Sequence, residues 1–132
     1  MKLTNGKFLI YTGIAHILLG ISPFAFGKQF FSFSEKYFFK ISDGLSEFPL
    51  LSGKMNYENF SAFWFVYFGV LFIPLGYLLD YIETENKIIP KKFIWSYLIF
   101  NLIGSYMIPF SGMLLLTLPH SIYMLLKHKK ND

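Results

Sequence analysis

The stretch FLIYTGIAHILLGISPFAFG, residues 8–27, carries no charge, is closed by Lys7 and Lys28, and sets one histidine, His16, between Gly13 and Gly20. A helix rises 1.5 Å per residue, so about 20 apolar residues cross ~30 Å of hydrocarbon. The run therefore reads as a membrane span. A second uncharged run, residues 59–79 between Glu58 and Asp80, meets the same length. A third, residues 93–126, is too long for one crossing.

In the middle of that third run stands Ile108-Pro109-Phe110-Ser111-Gly112, where proline ends a helix and glycine accepts the conformations of a tight reversal. Two arms result, residues 93–108 and 113–126, each about 22 to 24 Å long by helix rise. Arms this short require a thinned bilayer, or Lys92 and Lys127 snorkelling outward. A re-entrant pair is the alternative. The first run exceeds an ordinary signal-peptide core, lacks a small-x-small cleavage site and precedes further spans, so it reads as a retained helix.

Composition points the same way. Of 132 residues, 54% are hydrophobic, 21% aromatic and only 15% charged, which is too apolar for a water-soluble core of this size. The expected fold class is all-α: a polytopic membrane protein of one domain, residues 1–132, with four transmembrane helices in a compact bundle. Residues 28–58 form an outer loop and residues 80–92 a cytoplasmic loop. The basic residues are all lysine and the net charge is only +4. A dense face of Arg and Lys aimed at phosphates is missing, so nucleic acid is excluded as a partner. The chain has no cysteine, which rules out disulfides, thiolate metal ligands and cysteine nucleophiles.

Lysines near the span ends set the expected orientation. Lys2, Lys7, Lys87, Lys91, Lys92, Lys127, Lys129 and Lys130 share one side, whereas Lys28, Lys36, Lys40 and Lys54 lie on the other among four acids. Both termini are expected in the cytoplasm, in a multi-pass cell-membrane protein. Trp64 and Trp95, each just inside a span end, fit aromatic belts at the two interfaces. The outer loop is aromatic in its first half. Read as an interfacial helix, it turns Phe30, Tyr37 and Ile41 to lipid, with Phe31 and Phe38 beside them, and keeps Glu35, Lys36 and Lys40 wet. Such a segment serves as a lid on the bundle rim or as a gate.

Small residues set the helix pairing, because apolar surface alone gives helices no reason to leave lipid for each other. Gly6, Gly13, Gly20 and Gly27 recur every seven residues, and Ala62, Gly69 and Gly76 repeat that period on the second span. A period of seven keeps one stripe on one partner in a left-handed pair. The first two spans are expected to pack along Gly13, Gly20, Gly69 and Gly76. Every span also holds a proline, Pro23, Pro74, Pro109 or Pro119, and each frees a carbonyl one turn earlier that needs a new partner.

Polar groups within the spans mark the candidate site. His16, Asn101 and His120 stand seven to nine residues from Lys7, Lys92 and Lys127, which puts all three roughly 10 to 13 Å inside the cytoplasmic boundary. On three helices they form one layer. Intramembrane polar groups face a bundle interior or a cavity, so this layer is the candidate ligand-binding site. Three chemistries remain open for it. Neutral His and Asn act as interhelical glue, about 0.6 to 2 kcal/mol per bond; an imidazole near its ~6.5 reference pKa serves as a donor or shuttle; or His16 and His120 supply the two axial ligands of haem b. No metal site is expected, since zinc would want a third ligand at this depth. No catalytic residue is expected either: Ser61, Ser105, Ser111 and Ser121 have no intramembrane acid to build a triad. Asp80, Glu83 and Glu85 read as a solvated loop among lysines. Asp80, at a helix C-terminus, wants a cation such as Lys7 or Lys127. His128 belongs to a lysine-rich tail suited to anionic headgroups.

The segments Ala62-Phe63-Trp64-Phe65, Phe68-Gly69 and 76–80, with Gly13-Ile14-Ala15-His16 and Pro109-Phe110-Ser111-Gly112, resemble a family of small uncharacterised bacterial integral membrane proteins, a domain of unknown function. The resemblance covers most of the chain and is weakest in the outer loop. It implies a four-helix domain of a bacterial inner membrane and carries no chemistry over to any residue. The function expected from the residues is a membrane-embedded binding module for a small apolar or amphipathic ligand, with the lipid bilayer as its surroundings and an ordinary lipid among the candidate ligands. The alternatives are a structural or accessory subunit, and a redox or isomerase-type enzyme of the bilayer. His16, which stands three residues from Gly13 and four from Gly20, also lies along the glycine stripe, and that pulls it toward the second span rather than toward His120.

Overall fold

The computed structural model describes residues 3–36 and 57–131, and every regular element among them is helical. In chain order these are α1 (Asn5–Ile21), α2 (Gly27–Lys36), α3 (Tyr57–Thr84), α4 (Lys91–Met107), a π-helical turn (Met113–Thr117) and α5 (Leu118–Asn131). One of them, α3, is long and apolar enough to cross a membrane by length and composition. Its 28 residues span about 42 Å. The chain divides into two compact units, Lys7–Tyr77, and Met1–Gly6 with Leu78–Asp132.

In the first unit α1 and α3 run antiparallel with their backbones in close approach. A β-carbon placed on Gly13 would stand 2.6 Å from the Gly69 carbonyl oxygen, and one on Gly69 would stand 2.9 Å from the Gly13 carbonyl oxygen. Further along, a β-carbon on Gly20 would meet Val66 and Phe65. Leu9, Ala62 and Phe72 are buried on the same stripes, and Gly76 is buried one heptad beyond Gly69. The small residues thus admit the neighbouring backbone, and the larger ones between them fill the seam.

The helix ends differ from the uncharged runs, and the reasons are local. The expected span 8–27 stops being helical after Ile21, because Pro23 has no N–H to offer the Leu19 carbonyl and disfavours helix at the residue before it. The amide and hydroxyl of Ser22 both donate to that carbonyl instead, at 3.1 and 2.6 Å. A new helix, α2, begins at Gly27. There a β-carbon would sit 2.8 Å from the Ser22 carbonyl. The side-chain amide of Gln29 reaches Glu58 at 3.4 Å, between the first turns of α2 and α3. Phe30 and Phe31 lie on α2, whereas Tyr37, Phe38, Lys40 and Ile41 of the expected interfacial segment fall outside the described residues.

At its other end α3 continues past Asp80 to Thr84, so Asp80 and Glu83, expected in a solvated loop, belong to the helix, and Glu85 follows it. It closes at Asn86, whose φ of 55° is left-handed. The amides of Asn86 and Lys87 donate back to the Glu83 and Ile82 carbonyls at 3.1 and 2.9 Å. This is the six-to-one and five-to-two pairing of a left-handed helix stop, in which asparagine is the non-glycine residue best tolerated.

In the second unit α4, the π turn and α5 form a hairpin. Ile108 donates to Gly104 at 2.9 Å and Ser111 to Ile108 at 3.2 Å, so the proline turn lies where the residue types put it. The chain then enters a wide turn in which the Leu118 amide donates to the Met113 carbonyl. Pro119 follows at once. Its missing N–H disrupts the next turn, and the wider π spacing ahead of it absorbs the change.

Among the described residues, polar side chains are buried beside the apolar core and much large apolar surface is exposed. Asn5, Asn101, Ser105, Thr117, His120 and Ser121 are buried, while Leu18, Leu19, Leu71, Leu78, Ile103, Leu115 and many other large apolar side chains are exposed.

Candidate functional site

Four side chains of the second unit, Tyr97, His120, Asn5 and Glu83, form a connected chain, and its direction can be worked out from the carboxylate end. Glu83, on the last turn of α3, accepts from the Asn5 side-chain amide at 2.6 Å and from the Gly6 backbone amide at 3.2 Å. Both donors belong to the first turn of α1, whose free N–H groups and positive dipole end favour a carboxylate. Asp80, one turn back on α3, accepts from the Thr4 hydroxyl. Asp80 thus takes a hydroxyl at the helix entrance, and of the two cations expected for it, Lys7 and Lys127, Lys127 stands 3.9 Å from Glu83.

Because the Asn5 amide nitrogen is committed to Glu83, its oxygen is the atom facing His120, and the 3.2 Å contact requires His120 Nε2 to carry the hydrogen. His120 Nδ1 is then the acceptor, and the Tyr97 hydroxyl donates to it at 3.4 Å. The order is Tyr97 to His120 to Asn5 to Glu83. His120 is neutral in this arrangement, with both ring nitrogens engaged.

Asn101 sits one helical turn beyond Tyr97 and is fully buried. Its amide donates to the Tyr97 carbonyl at 2.7 Å and its oxygen accepts from the Thr117 hydroxyl. Thr117, His120 and Ser121 share one face of the π turn and α5, since positions three and four apart on a helix are neighbours. Ser121 returns its hydroxyl to the Leu118 carbonyl at 2.7 Å.

Of the three expected layer residues, Asn101 and His120 thus flank Tyr97 in one unit. His16 belongs to the other. Its ring stacks on Phe65, centroids 4.0 Å apart and 19° between planes, and lies edge-on to Phe68 at 6.3 Å. The imidazole serves there as a flat packing element on the glycine stripe. For the haem b expectation, both His120 ring nitrogens are engaged in this arrangement, which leaves no lone pair for an axial bond there. Among the described residues no group of three or more His, Asp or Glu side chains converges to hold a metal ion.

Sequence reasoning missed Asn5, Glu83, Tyr97 and Thr117. Two of these carried a readable signal, because Tyr97 precedes Asn101 by four residues and Thr117 precedes His120 by three, so each pair shares a helix face. Asn5 and Glu83 carried none, being neither inside an uncharged run nor near each other in sequence.

Beside Asn5 opens a cavity of about 340 Å³. Its wall is mixed. Ile88, Ile89, Ile94 and Met124 are apolar, Asn5 and Glu83 connect it to the polar chain, and Lys87, Lys127 and His128 are basic.

An all-α protein with buried polar side chains, much exposed apolar surface and a directed hydrogen-bond chain is the class these features define. The chain belongs to a family of unknown function, DUF6463, whose model matches residues 2–131. No curated protein and no solved structure matches it.

Proposed function

We propose that the protein is a four-span membrane protein with both termini in the cytoplasm, and that its cytoplasmic end binds a small amphipathic molecule. The observation that carries this reading is the burial of polar side chains beneath much exposed apolar surface. Fully buried Asn101 and Ser121 and nearly buried His120 sit inside while leucines, isoleucines and aromatics cover the outside. In water that arrangement leaves large apolar patches solvated, which soluble monomers avoid. In a bilayer it is the favourable one, since lipid solvates the outer face and interior polar groups bond to each other. Trp64 and Trp95, both partly exposed near the start of α3 and α4, suit the two interfaces.

The binding half of the reading moves the expected site from the full His16, Asn101 and His120 layer to the cavity beside Asn5, one hydrogen bond from His120. A cavity near 300 Å³ or above with few polar groups on an apolar wall suits a small ligand. The chain has no cysteine, so single-cysteine variants report topology cleanly. Lys54→Cys is expected to react with a membrane-impermeant maleimide in intact cells, and Glu85→Cys only after permeabilisation. Equal labelling of both in intact cells rejects the orientation. For binding, native mass spectrometry of purified protein is expected to show a retained small molecule that Ile94→Trp, which fills the cavity, displaces.

A second reading, a structural or accessory subunit, is favoured by one specific fact: His120 and Asn101 spend their hydrogen-bonding capacity inside the protein. Bare protein in the same mass spectra, for wild type and variant alike, selects it.

A further inference from the structure

We infer that the cavity beside Asn5 takes an amphiphile with an anionic head, phosphate or carboxylate, held by Lys87 and Lys127 while its chain leaves along Leu3 and Ile88, the exposed apolar residues of the lining. The inference rests on the binding reading above and adds the ligand's charge and shape.

Charge comes first. The lining holds two lysines and one histidine against a single carboxylate, Glu83. That carboxylate is largely occupied, because Asn5, the Gly6 amide and Lys127 all approach its oxygens. A further anion entering the cavity therefore meets ammonium groups rather than an exposed acid. The two lysines are also held in place. Lys87 Nζ lies 5.4 Å from the Tyr81 ring centroid and Lys127 Nζ 5.8 Å from that of Tyr123, so the ammonium groups rest on ring faces while their stems cover apolar surface.

Size comes second. At about 340 Å³ the cavity lies near the lower end of the roughly 300 to 1,000 Å³ of small-molecule sites, enough for a head group and a few methylenes but not for a whole lipid. A ligand with an anionic head has to leave its tail outside the cavity. Leu3 and Ile88 are the exposed apolar residues of the lining and offer the tail its surface, while Ile94 and Met124, both buried, close the cavity floor. A compact hydrophilic anion would leave the exposed Leu3 and Ile88 without apolar contact.

The test uses full-length protein in nanodiscs of phosphatidylcholine carrying either phosphatidylglycerol or diacylglycerol, and in detergent with oleate, each read by native mass spectrometry. Wild type is expected to retain phosphatidylglycerol or oleate and not diacylglycerol, and whichever is kept identifies a phosphate or a carboxylate head. Each of Lys87→Gln and Lys127→Gln is expected to weaken retention about tenfold, the scale of one charge-assisted hydrogen bond. Lys127→Arg, which keeps the charge beside Glu83, is expected to retain the ligand, and thermal stability of Lys87→Gln is expected to match wild type. Diacylglycerol retained as well as the anions, with both lysine variants unchanged but Ile94→Trp empty, overturns the anionic head and leaves the binding reading standing. Anion retention that survives Ile94→Trp overturns the cavity as the site. Bare protein under all conditions rejects the binding reading itself.

Discussion

His120 Nε2 lies 3.2 Å from the Asn5 side-chain oxygen, a bond across 115 positions that ties the first turn of α1 to α5. The Asn5 amide points to Glu83, which sets the histidine tautomer and turns the Tyr97 hydroxyl onto Nδ1. Removing the imidazole strands a donor on one side and an acceptor on the other. His120→Leu is expected to destabilise the protein by about 2 to 4 kcal/mol, measured by thermal or denaturant unfolding in detergent. Combining it with Tyr97→Phe removes the stranded hydroxyl, so the double variant is expected to lose less than the sum of the two single ones. Strict additivity would mean that the Tyr97 contact contributes nothing.

The Asn101 and Thr117 side chains bridge α4 and the π turn from fully or nearly fully buried positions. Thr117→Val keeps the shape and removes the donor, leaving the Asn101 oxygen without its partner. A cycle of Thr117→Val, Asn101→Leu and the double variant is expected to give a coupling of about 0.5 to 2 kcal/mol. A coupling near zero would show the bond to be incidental to the hairpin.

How much of this was legible follows from what each signal encodes. Uncharged runs bounded by charge locate helices, and α3 and the 108–112 turn lie where they point. They do not encode ends, which local chemistry decides: Pro23 with Ser22 stops α1 six residues short of Gly27, and α3 runs past Asp80 to a stop at Asn86. Counting from the nearest lysine likewise gives the height of a side chain and not its direction. Asn101 and His120 share a height and flank Tyr97, whereas the direction of His16 is set by the glycine stripe it lies along, and it stacks on Phe65. Glu83 was read as solvated because its partners, Asn5 and Gly6, are nearly eighty residues away and only the folded chain brings them together.

Asn86 holds a left-handed conformation at the end of α3, with φ of 55°. Glycine enters that region without a side-chain clash, and a β-branched residue does so only with strain. Asn86→Gly is expected to leave thermal stability within about 0.5 kcal/mol of wild type, and Asn86→Val to lower it by about 1 to 2 kcal/mol. The valine variant is also expected to weaken ligand retention, because the same turn positions Lys87 at the cavity. A stable valine variant with full retention would show that the turn can be rebuilt without this conformation.

The most demanding prediction concerns Gly13 and Gly69, whose backbones approach so closely that a single methyl group on either has no room. A β-carbon on Gly13 meets the Gly69 carbonyl oxygen and the Phe72 β-carbon within 3 Å, and neither atom is the far end of a flexible side chain that could swing away. Gly104 is the internal control, because a β-carbon there meets the thioether of Met113, which has three rotatable bonds with which to move. Alanine at 13 or 69 therefore has to push the helices apart, while alanine at 104 only moves a methionine. Gly13→Ala and Gly69→Ala are each expected to lower stability by about 1 to 3 kcal/mol in detergent unfolding, and the leucine variants by more. Gly104→Ala is expected to lower it by less than either. Gly13→Ala and Gly69→Ala with wild-type melting temperatures would show that the seam tolerates separation and that the seven-residue spacing of glycines is not what holds α1 to α3.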